Sequence, residues 1–277
     1  MRHQSVLAYA RFRWFKIALW LCILCGGLYL WHEPPLKPYG GTWLGYALGT
    51  LGALLILWLI WFGVRKRRYL SNAGTVQGWL SAHIYLGTAV LVVATLHTGF
   101  ELGWNVHTLA YVLMVATIAS GFYGVYIYVT VPALMTANRG EETLDGMILR
   151  IADLDREIRE KALSLPDQIL GPVNASLDGT RLGGNALRIL SGRDRACPTA
   201  AAVHTLPELG RRLTGEAAKL NHEVYTLLLQ KNELLLQARR DLRFKARLDL
   251  WLYFHVPLAI ALLAALSAHV VSVFLYW

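Results

Sequence analysis

From Trp79 to Phe100 the chain runs twenty-two residues, WLSAHIYLGTAVLVVATLHTGF, without an Asp, Glu, Lys or Arg. That is long enough to cross a bilayer, where every backbone N–H and C=O must bond within its own element, so the run folds as a helix among other helices. Inside it stand His83 and His97, fourteen residues apart. On an α-helix this spacing rises about 21 Å in just under four turns, so both imidazoles leave the same face near opposite ends. Gly87 and Ala94 lie between them on that face, where small side chains leave room for something bulky. The pattern recurs once: in the last apolar stretch, Trp251 to Trp277, His255 and His269 are again fourteen apart, with Ala259 and Leu262 between them.

An imidazole in hydrocarbon is costly unless it is bonded, so intramembrane histidines are functional candidates by default. Four of them in two equal pairs call for two ligands. A metal-bound porphyrin takes one axial nitrogen on each of its faces, which two helices supply when their histidines sit at matching depths. His83, His97, His255 and His269 are therefore the expected metal ligands.

The rest of the chain supplies the frame for this reading. Of 277 residues, 55% are hydrophobic, in several long runs separated by charged ones, which makes a polytopic membrane protein. A net charge of +9 would suggest nucleic acid in a soluble protein, but here the charges mark topology. Of 27 Lys and Arg, 26 lie in the N-terminal segment, in Arg65-Lys66-Arg67-Arg68, or between Arg139 and Arg247; only Lys37 falls elsewhere. The positive-inside rule then places the N-terminus and residues 134–248 on the cytoplasmic side of a bacterial inner membrane and the C-terminus on the periplasmic side. The first apolar run is followed by HEPPLKPYGG and not by a small-residue cleavage site, so it is expected to stay as a helix. Cys22 and Cys25, one turn apart in that run, read as packing, and Cys197 in a charged loop adds no disulfide framework.

Four domains are expected: a basic N-terminal segment 1–16 on the membrane surface, spans one to four over 17–133, a cytoplasmic helical hairpin 134–248, and span five over 249–277. Span one covers about Phe15 to Trp31 and span two Trp43 to Val64. Span four runs from Val106 to about Val131, with Pro132 marking its end. Span five starts at Leu250 and runs parallel to span three. Parallel directions pair His83 with His255 at the cytoplasmic end and His97 with His269 at the outer end. In span two, Gly45, Gly49, Gly52 and Gly63 fall on one helical face, and span four carries Ser120, Gly121 and Gly124 near mid-membrane. Such stripes pack a neighbouring helix or admit the edge of a flat macrocycle. Gly49, Gly52, Gly87, Gly121 and Gly124 are thus candidate cofactor-lining positions, together with His107, which begins span four near His97 and Glu101. His107 would bond an outer propionate or move a proton with Glu101 at a quinol site.

In the insertion, Leu144, Ile148, Ile151, Ile158, Ala162 and Leu165 follow one heptad, broken at Asp155. Leu213, Ala217, Leu220, Val224, Leu227, Leu234 and Ala238 follow another, broken at Lys231. Helices around 143–165 and 208–247 are expected to pack antiparallel, with Asp155 meeting Lys231 as a partly exposed pair. Residues 166–205, rich in Gly and Pro, read as an irregular tip. The hairpin is a structural device or a docking arm for a redox partner.

With these elements in place, the fourteen-spaced histidine pairs on two parallel helices separated by one helix resemble the di-haem b-type cytochromes. These include the respiratory cytochrome b of quinol-oxidising complexes and the transmembrane part of ferric-reductase and NADPH-oxidase proteins. The resemblance covers about residues 43–131 and 250–277. It implies an all-α fold of five spanning helices with a haem-binding four-helix core, and two haem b groups, one on His83 and His255 and one on His97 and His269. It also implies electron transfer across the membrane with quinone or with iron-sulfur or c-type cytochrome subunits, as a membrane subunit more than a complete enzyme. The chain departs from that pattern in lacking a Pro-Glu-Trp-Tyr signature, in having no flavin or nicotinamide domain after the last helix, and in its insertion. The competing reading is a metal-ion or proton transporter, which calls for carboxylates beside the histidines; none lies within a span. A scaffold with hydrogen-bonding histidines explains a lone histidine and not two equal pairs.

Overall fold

The computed structural model describes residues 6–34, 40–67, 74–140, 142–192 and 197–275. Among them every regular element is helical, and the all-α polytopic architecture expected above is the one observed. After a 3-10 turn at Val6–Ala8 come α1 (Arg13–Trp31), α2 (Trp43–Arg67), α3 (Val76–Thr98), α4 (Val106–Arg139), α5 (Leu144–Ala162), α6 (Asp167–Gly179), α7 (Ala186–Ser191), α8 (Pro198–Gly210) and α9 (Gly215–Leu275). Five of these, α1 to α4 and α9, contain a run long and apolar enough to cross a membrane. Two compact units divide the chain: Met1–Tyr126 with Trp251–Trp277, and Ile127–Leu250.

The first unit is organised around α3. Thr75 caps its start by accepting from Gly78 N at 3.1 Å, and Gly99, with φ 59°, closes its end. One side of α3, Ala82, Leu86 and Ala89, packs on Ala18 of α1, while Val93 packs on Cys25 of α1 and on Leu44 and Leu48 of α2. Cys25 is thus buried as an apolar residue, as its sequence context suggests. Near the N-terminus, Tyr9 lies against Gly78, where a Cβ would come within 2.9 Å of its ring, and Tyr85 Oη donates to Leu7 O at 2.9 Å. Ile56 of α2, Val90 of α3, Met114 of α4 and Leu262 of α9 meet in one buried cluster. Val90 is midway between His83 and His97, and Leu262 midway between His255 and His269. An apolar plug from four helices therefore separates the two histidine levels. The spanning helices also expose large apolar side chains, including Trp20 and Leu30 of α1 and Tyr253 of α9, as a lipid-facing surface requires.

The second unit packs α5, α6, α8 and the first part of α9 around Leu154, Ile158, Leu165, Ile169, Val173, Leu206, Val224 and Leu228. Thr143 caps α5 by accepting from Gly146 N at 3.1 Å. The antiparallel packing of α5 on α9 is as expected, and Lys231 Nζ meets Asp155 Oδ1 at 2.5 Å. About two turns further along, Lys161 Nζ donates to Glu223 Oε2 at 2.6 Å, continuing the antiparallel register.

Four expectations need correction. Residues 166–205 are no irregular tip: α6, α7 and most of α8 fall there. Ile169, Val173 and Leu177, with Ala202 and Leu206, form apolar faces that pack on the core, and this burial outweighs the helix-breaking tendency of Gly171-Pro172. Span four does not end at Pro132, because α4 continues to Arg139. A proline inside a helix costs about 3 kcal/mol, and the turn beyond it is held from outside. Arg139 Nε and Nη2 grip the Asp241 carboxylate at 2.6 and 2.5 Å, and Asn138 Nδ2 donates to Gln237 O at 2.9 Å. The second insertion helix and span five are not separate either: α9 runs unbroken from Gly215 to Leu275, past Asp249 and Pro257, since nothing between Arg247 and Trp251 breaks helical geometry. Finally, Lys231 is not partly exposed. Its side chain is 1% exposed, with Nζ also donating to Ser176 O at 2.8 Å and Ser176 Oγ at 3.2 Å. The seam on α9 is Val224, Leu228, Lys231, Leu235 and Ala238, one residue round from the Leu227 and Leu234 of the sequence pattern.

Candidate functional site

The four histidines come together as two pairs. The rings of His83 and His255 have centroids 6.5 Å apart with planes at 69°, and those of His97 and His269 are 6.0 Å apart at 83°. All four are half-buried. An imidazole nitrogen bound to a first-row metal stands about 2.0–2.1 Å from it, so two imidazoles coordinated trans to one ion have ring centres about 6.3 Å apart. Both pairs lie near this spacing. Direct hydrogen bonding between the rings of a pair would hold them closer.

What occupies the other ring nitrogen decides whether Nε2 is available. His97 Nδ1 donates to the Gly45 carbonyl at 2.8 Å, since a carbonyl only accepts. His255 Nδ1 lies 2.7 Å from Ser120 Oγ, and the Ser120 hydroxyl proton is used on Thr117 O at 2.8 Å. Ser120 is thus the acceptor, and His255 carries its proton on Nδ1. His269 Nδ1 bonds His107 Nδ1 in a short contact between rings 4.5 Å apart. His83 Nδ1 is buried with no hydrogen-bond partner among the described residues. Its ring is flanked by Phe62 at 5.1 Å. Two of the four rings, His97 and His255, therefore carry their proton on Nδ1, which leaves Nε2 unprotonated as a donor atom. This is the arrangement in which a neighbouring acceptor fixes the tautomer of a metal-binding imidazole and raises its basicity.

The glycines divide by what they face. At Gly49 a Cβ would fall 2.7 Å from His97 Cε1 and 2.9 Å from Nδ1, so only glycine admits that ring. Gly121 faces His255 Cε1 at 3.6 Å, an ordinary contact. Gly124 makes room for the indole of Trp251, which would collide with any Cβ there. Trp251 in turn donates Nε1–H to Ser120 O at 2.8 Å and lies 5.4 Å from the His255 ring. Gly52 and Gly87 meet only Val93 Cγ1 at 3.9 Å and Leu59 Cδ1 at 4.0 Å. His107 is exposed and placed on the ring of His269; no contact joins it to Glu101.

Residue types alone did not single out Ser120, Trp251 or the Gly45 carbonyl as anchors of these rings. A serine 135 positions from its histidine carries no spacing signal, and a backbone carbonyl carries none at all. Among the described residues no group of three or more His, Cys, Asp or Glu side chains is placed to hold a metal ion. A metal at either level would take two imidazoles from the protein and its remaining donors from a ligand. Comparison with family models, with curated proteins and with solved structures returned no match to this chain.

Proposed function

We propose that the chain is a membrane-embedded di-haem b-type cytochrome that carries electrons across the bacterial inner membrane, between quinone and partner redox subunits. The observation that carries this reading is the double pair of imidazoles at bis-axial spacing, with the Nδ1 atoms of His97 and His255 committed to Gly45 O and Ser120 Oγ. A facing pair of imidazoles at each level, with no group of three or more His, Cys, Asp or Glu placed to hold a metal ion among the described residues, suits a macrocycle that brings its own equatorial nitrogens. Held by His83 with His255 and by His97 with His269, a haem would supply one-electron chemistry and leave no place for oxygen. The residues of the chain do the rest. His83 and His255 hold one level and His97 and His269 the other, while Ile56, Val90, Met114 and Leu262 keep the space between them dry. Gly45, Ser120 and His107 orient the rings. Two levels about 21 Å apart along the helices divide a membrane crossing into a short inner and a short outer step. In the proposed orientation the His83 level is cytoplasmic and the His97 level periplasmic, and an iron-sulfur or c-type cytochrome subunit serves one of them.

An optical spectrum of the purified chain tests this. The expected result is a Soret band with a b-type α-band on reduction and two haems per chain by pyridine haemochrome. Absence of the bands after expression with adequate haem supply would remove the reading.

A further inference from the structure

We propose that the arginine face of α9 just before its apolar run, Arg240, Arg243 and Arg247, binds the phosphate of an anionic phospholipid headgroup. The three residues are spaced by three and four, so on one helix they share a face within an arc of about 60°. The acidic residues of the same stretch, Asp241 and Asp249, point to the other side, and Asp241, 1% exposed, is consumed by the bidentate grip of Arg139. That ion pair cancels its own charge and leaves the arginine face positive.

Among the described residues none of the three arginines has an acidic side chain as partner. Arg240 is exposed, and its Nε goes to a neutral acceptor, Asn138 Oδ1, at 2.8 Å. Arg247 is also exposed. The guanidinium of Arg243 lies directly against Gly192, a residue with φ 60° where any Cβ would collide with it, so the side chain is held in place by the backbone. Its Nε is buried with no hydrogen-bond partner among the described residues. Arg243 as a whole is only half-buried, so its charge still acts on an anion at the surface. The face is built of arginines, whose planar fork matches phosphate in a bidentate way that lysine does not.

The position along α9 selects a lipid over a soluble anion. Arg247 precedes Trp251, where the apolar run begins, by one turn and Arg243 by two, about 6 and 12 Å of helical rise. The headgroup layer is about 5–8 Å deep, so Arg247 stands within it and Arg243, held against Gly192, stands just outside it. Clustered cations beside a spanning helix attract anionic lipid in this way.

The test uses the full chain in a neutral detergent, with bound lipid counted by native mass spectrometry and thermal stability followed as lipid is added. Phosphatidylglycerol is expected to be retained and to raise the unfolding temperature, while phosphatidylcholine does neither. Retention should fall several-fold in Arg243→Gln and further in the Arg243→Gln/Arg247→Gln pair, and stay unchanged in Lys245→Gln, which lies on the opposite face. Arg243→Lys, which keeps the charge, should recover only part of the retention. Equal retention of the two lipids, or a loss in Lys245→Gln as large as in Arg243→Gln, would overturn the proposal. So would inorganic phosphate matching phosphatidylglycerol, which would show a site for free anions, or an acidic protein partner competing at unchanged lipid occupancy.

Discussion

At the scale of single residues, the site depends on groups that touch the histidines from behind. Ser120→Ala removes the acceptor of His255 Nδ1–H while leaving helix propensity intact. Loss of such an outer partner weakens metal retention about 10–100-fold, so titrated haem should dissociate from the His255 level and not from the His97 level. Site-resolved haem content after dialysis checks this, and equal loss at both levels would count against it. Gly49 provides the steric counterpart. In Gly49→Ala the new methyl meets the His97 ring at 2.7 Å, whereas in Gly52→Ala it meets Val93 Cγ1 at 3.9 Å. Overpacking of that kind costs about 1–3 kcal/mol. Gly49→Ala should therefore displace His97 and deplete one haem signal, and Gly52→Ala should leave both; similar spectra for the two variants would show that the Gly49 contact relaxes freely.

At the scale of elements, the hairpin of α5 on α9 turns on an ion pair that is asymmetric in burial. Lys231 is 1% exposed and Asp155 30%. Removing Asp155 strands an ammonium inside the unit with only Ser176 as acceptor, while removing Lys231 strands a carboxylate that water already reaches. Breaking a buried pair from one side costs about 3–5 kcal/mol, and solvent access reduces that cost. Asp155→Ala should thus destabilise the second unit more than Lys231→Met, read by chemical denaturation; the reverse order would mean that the pair is not what holds the register. The neighbouring pair is partly exposed and gives a pH signature. The Lys161 ammonium, hydrogen-bonded to Glu223, holds the Glu223 carboxyl below its ordinary value. A carboxyl depressed on folding contributes stability above its unfolded value, and that contribution disappears as pH falls through the folded one. The effect should be small, shrink with salt, and vanish in Glu223→Gln, whose stability curve below neutral pH should lie flatter than that of the wild type.

At the scale of the whole molecule, the two histidine levels should behave as separate sites, because an apolar plug of one side chain from each of four helices lies between them. His83→Ala and His255→Ala should remove the same component of a redox titration, and His97→Ala and His269→Ala the other. Any pairing of His83 with His97 in that titration would refute the arrangement. Much of this was legible in the chain itself. Fourteen residues is nearly a whole number of helical turns, so spacing alone put each pair of imidazoles on one face, and the absence of charge over five runs dictated spanning helices. The charges at Asp155 and Lys231 likewise announced their meeting, since each interrupts an otherwise apolar heptad. Other features depend on how one helix is rotated against its neighbour, which local sequence does not encode. Only the tertiary structure could show that Ser120, the Gly45 carbonyl and His107 anchor the rings, or that Lys231 is buried to its tip. The same holds for helix boundaries. Pro132 and Gly171-Pro172 look like breaks, yet α4 and α6 run through them, because the tertiary hydrogen bonds and buried faces gained by continuing outweigh a local cost of a few kcal/mol, while α9 crosses the charged stretch before Trp251 with no helix breaker in its way.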